Sequence, residues 1–464
     1  MIMAAAALAA CGAEQVDEPE VVVTEPVAFV QLFEWSWPDI ARECENHLGP
    51  QGYSAVHVSP PNEHITGPAW WTRYQPVSYE IESRGGTREE FEDMVARCKA
   101  AGIDIYADAV VNHMAGFPEG VGVAGSPFSE YDYPAVPYAY DDFHHCDRND
   151  DGRIVDYQDR WEVQTCQLGT LDDLDTGKPE VQARIAAYLN DLLHLGVAGF
   201  RMDAVKHIHH DELHAILQQV DGEPFLYQEV IDRGGEAINA GDYLRDGHVT
   251  EFKYAAMILD AFERGNLDAL TKFWLQPGWL PGDKAIVFVD NHDIQRGHAF
   301  GDEVVNYKDG QTYELAVAFM LAHPYGYPLV MSSYAFETDQ DGPPAASPHD
   351  AGGCGDAWIC EHRRDARSAM LEFRRVSHGA ELTNWQITDS HVLSFGRGDR
   401  GHILINTGEQ AIDVGAPTAL AAGRYADLLS GRDVQVSDDG FVVASLGPHS
   451  IVAILAADTA LDIN

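Results

Sequence analysis

The chain has 464 residues, 45% hydrophobic and 10% aromatic, enough for a large core spread over two or three domains. No apolar run approaches the roughly 20 residues of a membrane span. With 74 acidic residues against 30 basic ones the formal charge is −44, which argues against nucleic acid or an anionic membrane as partner because like charges repel.

Seven cysteines are present. Cys11 follows the small apolar run Leu8-Ala-Ala and is similar to the lipobox of bacterial lipoproteins, where such a Cys carries the lipid. Residues 1–10 hold no Lys or Arg, so either the natural start lies upstream or this is an ordinary signal sequence with a coincidental Cys. The lipobox is the favoured reading, and it leaves an even six cysteines for pairing in an exported protein. Residues 1–26 are read as this signal and a Glu-, Val- and Pro-rich tether.

A strand is expected over Val27 to Phe33 and a helix over Asp39 to Leu48. A second strand near Ala55 to Ser59 is ended by Pro60-Pro61. The stretch Pro68 to Tyr79 is dense in aromatics without a clear period. An amphipathic helix over 87–101 leads to a third strand at 103–111. From 114 to 172 the periodicity fails, and a loop of that length is usually functional; it is read as a small inserted domain. Alternating helices and strands resume at 179 and run to about 375. Short alternating segments over 381–464 read as a separate antiparallel β domain.

Four apolar runs organise the chain: 103–113, 195–207, 224–231 and 285–293. Each reads as a buried strand that delivers a carboxylate at its C-terminal end. Such convergence points to one site at one end of a parallel barrel. The fold class expected is therefore α/β: a (β/α)8 TIM barrel over 27–113 and 173–380, an inserted irregular domain at 114–172 after strand 3, and a C-terminal antiparallel β-sandwich at 381–464.

DAVVNH at 108–113, GFRMDAVKH at 199–207, YQEVI at 227–231 and FVDNHD at 288–293 resemble, in order, the four signature regions of the α-amylase family of glycoside hydrolases. QLFEWSW at 31–37, WWTRYQPVSY at 70–79, QRGH at 295–298 and HPYGYP at 323–328 are similar to its animal-type branch and marine bacterial relatives. The likeness spans about 27–458 and includes the barrel, insertion and β-sandwich read above.

The resemblance implies that Asp203 is a nucleophile, Glu229 a general acid/base and Asp293 a third carboxylate. A retaining glycosidase needs nucleophile and acid roughly 5–5.5 Å apart. The acid must hold its proton near neutral pH, and the apolar run Pro224 to Tyr227 is consistent with the desolvation this requires. Arg201, two residues before Asp203 on the same strand face, is expected to keep the nucleophile ionised. By resemblance His113 and His292 contact sugar hydroxyls, Trp70, Trp71, Tyr74 and Gln75 line glucose subsites, and Lys206, His207 and His298 lie on the product side. A lone His or Trp-Trp pair is more often structural, so these roles lean on the family.

A structural Ca2+ is implied, held by Asn112, Asp173 and the carbonyls of Gln164 and His207, with Asp172 and Asp175 as neighbouring carboxylates. The run 147–158 starts like a calcium loop but has Gln158 where such loops carry a bidentate Glu, so a simple turn is the stronger reading. The animal-type branch also implies chloride beside the acid. Arg201 and Asn291 match its ligands, but Leu329 stands in place of the third, basic one. Weak or absent chloride dependence is expected. The implied disulfides are Cys44–Cys98, Cys146–Cys166 and Cys354–Cys360.

The expected function is endo-hydrolysis of α-1,4-glucosidic bonds in starch or glycogen with retention. The partner is an α-glucan, the chain a monomer, and its place the bacterial cell envelope or surface through a lipid on Cys11, or the medium by secretion. Rival readings are a transglycosylating or maltooligosaccharide-forming relative, and a non-catalytic starch-binding lipoprotein, which the three carboxylates disfavour. A metal-dependent hydrolase is a further rival, disfavoured because the chain has no HExxH motif.

Overall fold

The computed structural model describes residues 27–299, 301 and 303–456; Cys11 and the tether lie outside these. Among the described residues eighteen strands follow in chain order. Barrel strands β1 (Phe29–Leu32), β2 (Ala55–Val58) and β3 (Asp104–Ala109) come first. A short hairpin, β4 (Glu119–Val121) and β5 (Pro127–Ser129), interrupts them. The barrel resumes with β6 (Gly199–Met202), β7 (Phe225–Gln228), β8 (His248–Thr250), β9 (Ala285–Val287) and β10 (Tyr327–Ser332). All pairs are parallel, and the sheet closes in the order β1-β10-β9-β8-β7-β6-β3-β2.

Burial explains the sequence pattern. Covered on both faces, the strands read as apolar runs rather than alternations. Phe29, Tyr106, Tyr227, Ile286, Phe288, Tyr327 and Leu329 fill a cluster of their own inside the barrel. Outside it, the helix Arg88–Ala100 starts on Thr87, whose side chain and that of Glu90 form a reciprocal cap, so two orphan N–H groups are satisfied. Cys44–Cys98 ties this helix to the preceding one; Cys146–Cys166 and Cys354–Cys360 complete the expected pairing.

The insertion after β3 has little regular structure. It is held by aromatic packing instead: Phe128, Tyr133, Tyr138 and Phe143 are all buried, and Phe128 stacks on Tyr133 at 5.6 Å. Backbone bridges His113↔Asp173 and Phe143↔Leu174 return the chain to the barrel.

Strands β11 (Leu382–Thr388), β12 (Val392–Arg397), β13 (Gly401–Asn406) and β18 (Ser450–Leu455) form one antiparallel sheet. Strands β14 (Ile412–Pro417), β15 (Gly423–Ala426), β16 (Asp433–Val436) and β17 (Phe441–Leu446) form the second, in the order β14-β17-β16-β15. The pair makes the C-terminal sandwich. Buried Arg397 of β12 bolts it to the base of the barrel, and buried Arg374 of the helix Asp365–Val376 ties that helix to the barrel beside it. Arg397 donates to the carbonyls of Ala322 and Ser377 at 2.8 and 3.1 Å. Arg374 donates to those of Val27, His323 and Gly326. The helices Gln311–Ala322 and Asp365–Val376 end here, and a cation favours the negative end of a helix. Among the described residues no helix is long and apolar enough to cross a membrane.

Candidate active site

The register of β3, β6 and β7 sets the site. Asp108 pairs with Arg201 across β3 and β6, and Arg201 with Tyr227 across β6 and β7. Side chains at that height meet at the C-terminal mouth of the barrel. Arg201 is the hub. Its Nη1 donates to Asp108 Oδ1 and Asp203 Oδ1, both at 2.7 Å, and its Nη2 to Glu229 Oε1 at 2.5 Å. Asp293 Oδ2 lies 3.9 Å from the same Nη2. The backbone continues the ladder past the strand ends: Asp203 N–H donates to Ala109 O and Glu229 N–H to Met202 O, both at 3.0 Å. Ala204 sits in the left-handed region at φ 51°, a strained position for a side chain with a Cβ. In that conformation its N–H donates to Glu229 Oε2 at 2.9 Å.

Three buried carboxylates and the half-buried Asp293 thus surround one guanidinium, and one positive charge cannot neutralise them all. Burial, then the charge of Glu229, pushes Asp293 up to about 8, with Arg201 pulling the other way. Asp203 is also pushed well up by burial, which outweighs Arg201 in the free protein. Arg201 makes the expected pairing with Asp203 and favours its charged form, while burial and the neighbouring carboxylates oppose it. Asp108 is the exception. Burial raises it, yet Arg201 and His57 together draw it below its ordinary value.

The aromatic wall lies beside this cluster. His292 is sandwiched between Phe33 and Tyr74, at 4.8 and 5.1 Å between ring centres. Burial keeps it neutral, well below its ordinary pKa. Its Nδ1 meets the Gln31 amide at 2.9 Å, and its Nε2 lies 3.4 Å from Asp293 Oδ2. The Tyr74 hydroxyl donates to Asp108 Oδ2 at 2.9 Å. Trp70 is buried and edge-on to Tyr74, His292 and His298. The Trp71 indole donates to Gln340 at 2.6 Å. Gln75 Oε1 accepts from Gly116 N–H, joining the wall to the insertion. His113 is engaged by the protein at both nitrogens, Nε2 with the Tyr74 carbonyl at 3.0 Å and Nδ1 with the Asn112 amide at 3.3 Å. In the free protein it braces Tyr74.

On the other side a cavity of about 410 Å3 is lined by Tyr157, Lys206, His207, Glu229, Arg233 and Glu236 among others. Lys206 Nζ donates to the Ile231 carbonyl at 2.7 Å and pairs with Glu236.

The residues implied for calcium fit a cation. Asn112 lies 3.4 Å from the Asp173 carboxylate, and Leu174 N–H donates to the Asn112 carbonyl. His207 Nδ1 meets the Val163 carbonyl at 3.0 Å, which brings Gln164 and His207 alongside each other. Burial pushes Asp173 up to about 6, against the His144 ring, whose Nδ1 meets its Oδ2 at 2.7 Å. Asp172 faces elsewhere, accepting from Tyr131 N–H and the Tyr133 hydroxyl, and Asp175 pairs with His144 and Lys178. In the run 147–158, Asn149 donates to the Arg153 carbonyl and Asp151 accepts from Arg153 N–H, so the spacing there serves a turn.

Asp108, Gln31, His57 and Glu236 were not among the residues assigned from sequence. Asp108 did carry a signal, since it ends the same kind of apolar run as Asp203 and Glu229. Gln31 and His57 sit inside short barrel strands with nothing local to mark them.

Paired carboxylates at the C-terminal mouth of a (β/α)8 barrel, beside a wall of aromatic rings, define a glycoside hydrolase. The profile of the α-amylase catalytic domain matches residues 55–232, and that of the α-amylase C-terminal all-β domain matches 383–462. The chain is 42% identical to α-amylase 1B of Homo sapiens, with 92% of this chain and 94% of that protein covered. It is also 42% identical to pancreatic α-amylase of Rattus norvegicus over 90% of this chain and 89% of that one. The crystal structure of α-amylase I from Eisenia fetida superposes with a TM-score of 0.87 at 38% identity, covering 93% of this chain and 98% of that one. The chain belongs to the α-amylase family.

Proposed function

We propose that the chain hydrolyses internal α-1,4-glucosidic bonds of starch or glycogen with retention of configuration. The observation that carries this reading is the single guanidinium of Arg201 gathering Asp108, Asp203, Glu229 and Asp293 at one point of the cleft. Asp203 attacks the anomeric carbon as Glu229 gives its proton to the glycosidic oxygen, so the leaving chain departs neutral. A water then gives a proton to Glu229 and attacks the same carbon, and the bond to Asp203 breaks. Asp293 and His292 hold the sugar hydroxyls and meet the charge that develops on the ring. Trp70, Trp71, Tyr74 and Gln75 take the glucose units on one side of the bond. Lys206, His207 and the cavity beside Glu229 take those on the other, whereas His298, edge-on to Trp70, goes with the aromatic wall rather than with the product side that the resemblance implied. Asp108 and His57 set the height of Arg201.

Asn112, Asp173 and the carbonyls of Gln164 and His207 would hold calcium, which supplies positive charge that joins the insertion to the loop after β6. The chloride reading is that Leu329 leaves any anion with Arg201 as its one cationic ligand. Three disulfides fit an oxidising compartment outside the cytosol; a lipid on Cys11 would retain the chain at the cell envelope, and a monomer is sufficient for the site.

The test is the course of soluble-starch digestion with calcium present. Endo-cleavage predicts that iodine staining collapses while few reducing ends have formed. A slow loss of stain in proportion to reducing ends contradicts it.

A further inference from the structure

The turn that carries His292 and Asp293 is closed by a charge that the mechanism above does not use. Arg296 is 5% exposed. Its Cζ lies 4.4 Å from the ring centre of Phe336, 4.9 Å from Phe33, 5.0 Å from Tyr334 and 5.5 Å from Trp70. Among the described residues its Nε and Nη2 meet no hydrogen-bond acceptor. Burying a cation this way is costly unless something replaces water. Here the faces of four rings do so, and planar guanidinium is the cation best shaped to stack on them.

The cage touches the site from two directions. Arg296 Nη1 donates to the His292 carbonyl at 2.8 Å, and Arg296 N–H to the Asp293 carbonyl at 2.9 Å. Phe33 packs on both the guanidinium and the His292 ring. Trp70 packs on the guanidinium and meets His292 edge-on at 5.6 Å. One side chain therefore fixes the turn against the aromatic wall.

We propose that Arg296 is a positioning residue whose caged guanidinium holds His292 and Asp293 in the orientation that meets the transition state. The inference rests on the roles given to those two residues above. It touches no sugar itself, so its loss should act on kcat more than on KM.

The test compares the full-length wild type with R296M, R296K and F336L on a defined maltooligosaccharide with calcium present, with near-UV circular dichroism to show that each is folded. R296M should lose about tenfold or more in kcat with KM little changed, since small misplacements near reacting groups cost that much. R296K, which keeps the cation but not its plane, should recover part of the loss. F336L, which removes one ring of the cage, should fall in the same sense by less. A folded R296M with wild-type kcat, a loss confined to KM, or an R296K no better than R296M overturns the proposal. Should R296M not fold, wild-type kcat in F336L overturns it. An inactive wild type overturns the functional reading and this inference with it, whereas an active wild type beside an unaffected R296M overturns this inference alone.

Discussion

Arg201 Nη2 donates directly to Glu229 Oε1 at 2.5 Å, and among the described residues Arg201 is the one Lys or Arg that pairs with Glu229. Leu329 is buried in the apolar interior of the barrel with Tyr227, Phe288 and Ile294. An anion near Glu229 would have to compete with the carboxylate for one guanidinium and would gain nothing from Leu329. Activity on soluble starch should therefore be high in chloride-free buffer and flat as chloride is added. L329K should be less stable and should gain a dependence on chloride. A wild-type rate that climbs steeply with chloride contradicts this account of Leu329.

Asp203 and Glu229 act at different atoms of one bond, so each loss should be severe while the fold persists. D203N and E229Q should each lower kcat/KM by about 10^3-fold or more, measured with folded protein. A loss of less than about tenfold in either would remove that residue from its role.

Asp293 carries a cost in stability. Its ordinary pKa is 3.8, and burial with the charge of Glu229 raises it to about 8 in the folded chain. Below 3.8 both states are protonated and nothing is lost. Between 3.8 and about 8 the unfolded chain has released a proton that the folded one retains, so this group's contribution to stability falls as pH rises through that window and levels off above it. D293N should be almost inactive yet melt higher than wild type at pH 8, with the difference shrinking toward pH 4. Equal melting temperatures across that range would show that Asp293 is not strained in this way.

Calcium removal should act on stability and activity together, because His207 lies four residues after Asp203 on the same loop. A chelator should lower both the melting temperature and the rate, and D173N should reproduce the loss in a form that added calcium does not rescue. Unchanged melting on chelation would exclude a structural calcium at Asn112 and Asp173.

Sequence exposed the parts of the molecule that are local. Apolar runs ending in Asp108, Asp203, Glu229 and Asp290-Asn291-His292-Asp293 are contiguous, so four barrel strands and the carboxylate centre were legible. Strand β8 was not, because three residues, His248–Thr250, carry no period. The insertion kept its core hidden since Phe128, Tyr133, Tyr138 and Phe143 are spaced by turns rather than by a helix or strand repeat. The polar residues that orient the site were the least visible. Gln31 and His57 come from β1 and β2, and only barrel closure brings them to His292 and Asp108. The Arg296 cage draws Phe33, Trp70, Tyr334 and Phe336 from three distant segments. Protonation was also beyond the sequence: the pairing of Arg201 with Asp203 could be anticipated, but the number of carboxylates competing for that one charge depends on the closed barrel.

The central claim is that Asp203 and Glu229 work as a retaining pair, and proton NMR of the anomeric signals during the first minutes of maltooligosaccharide hydrolysis tests it most directly. The account predicts that the new reducing ends appear first as the α-anomer and reach the equilibrium mixture only by mutarotation. New reducing ends appearing first as the β-anomer would contradict it.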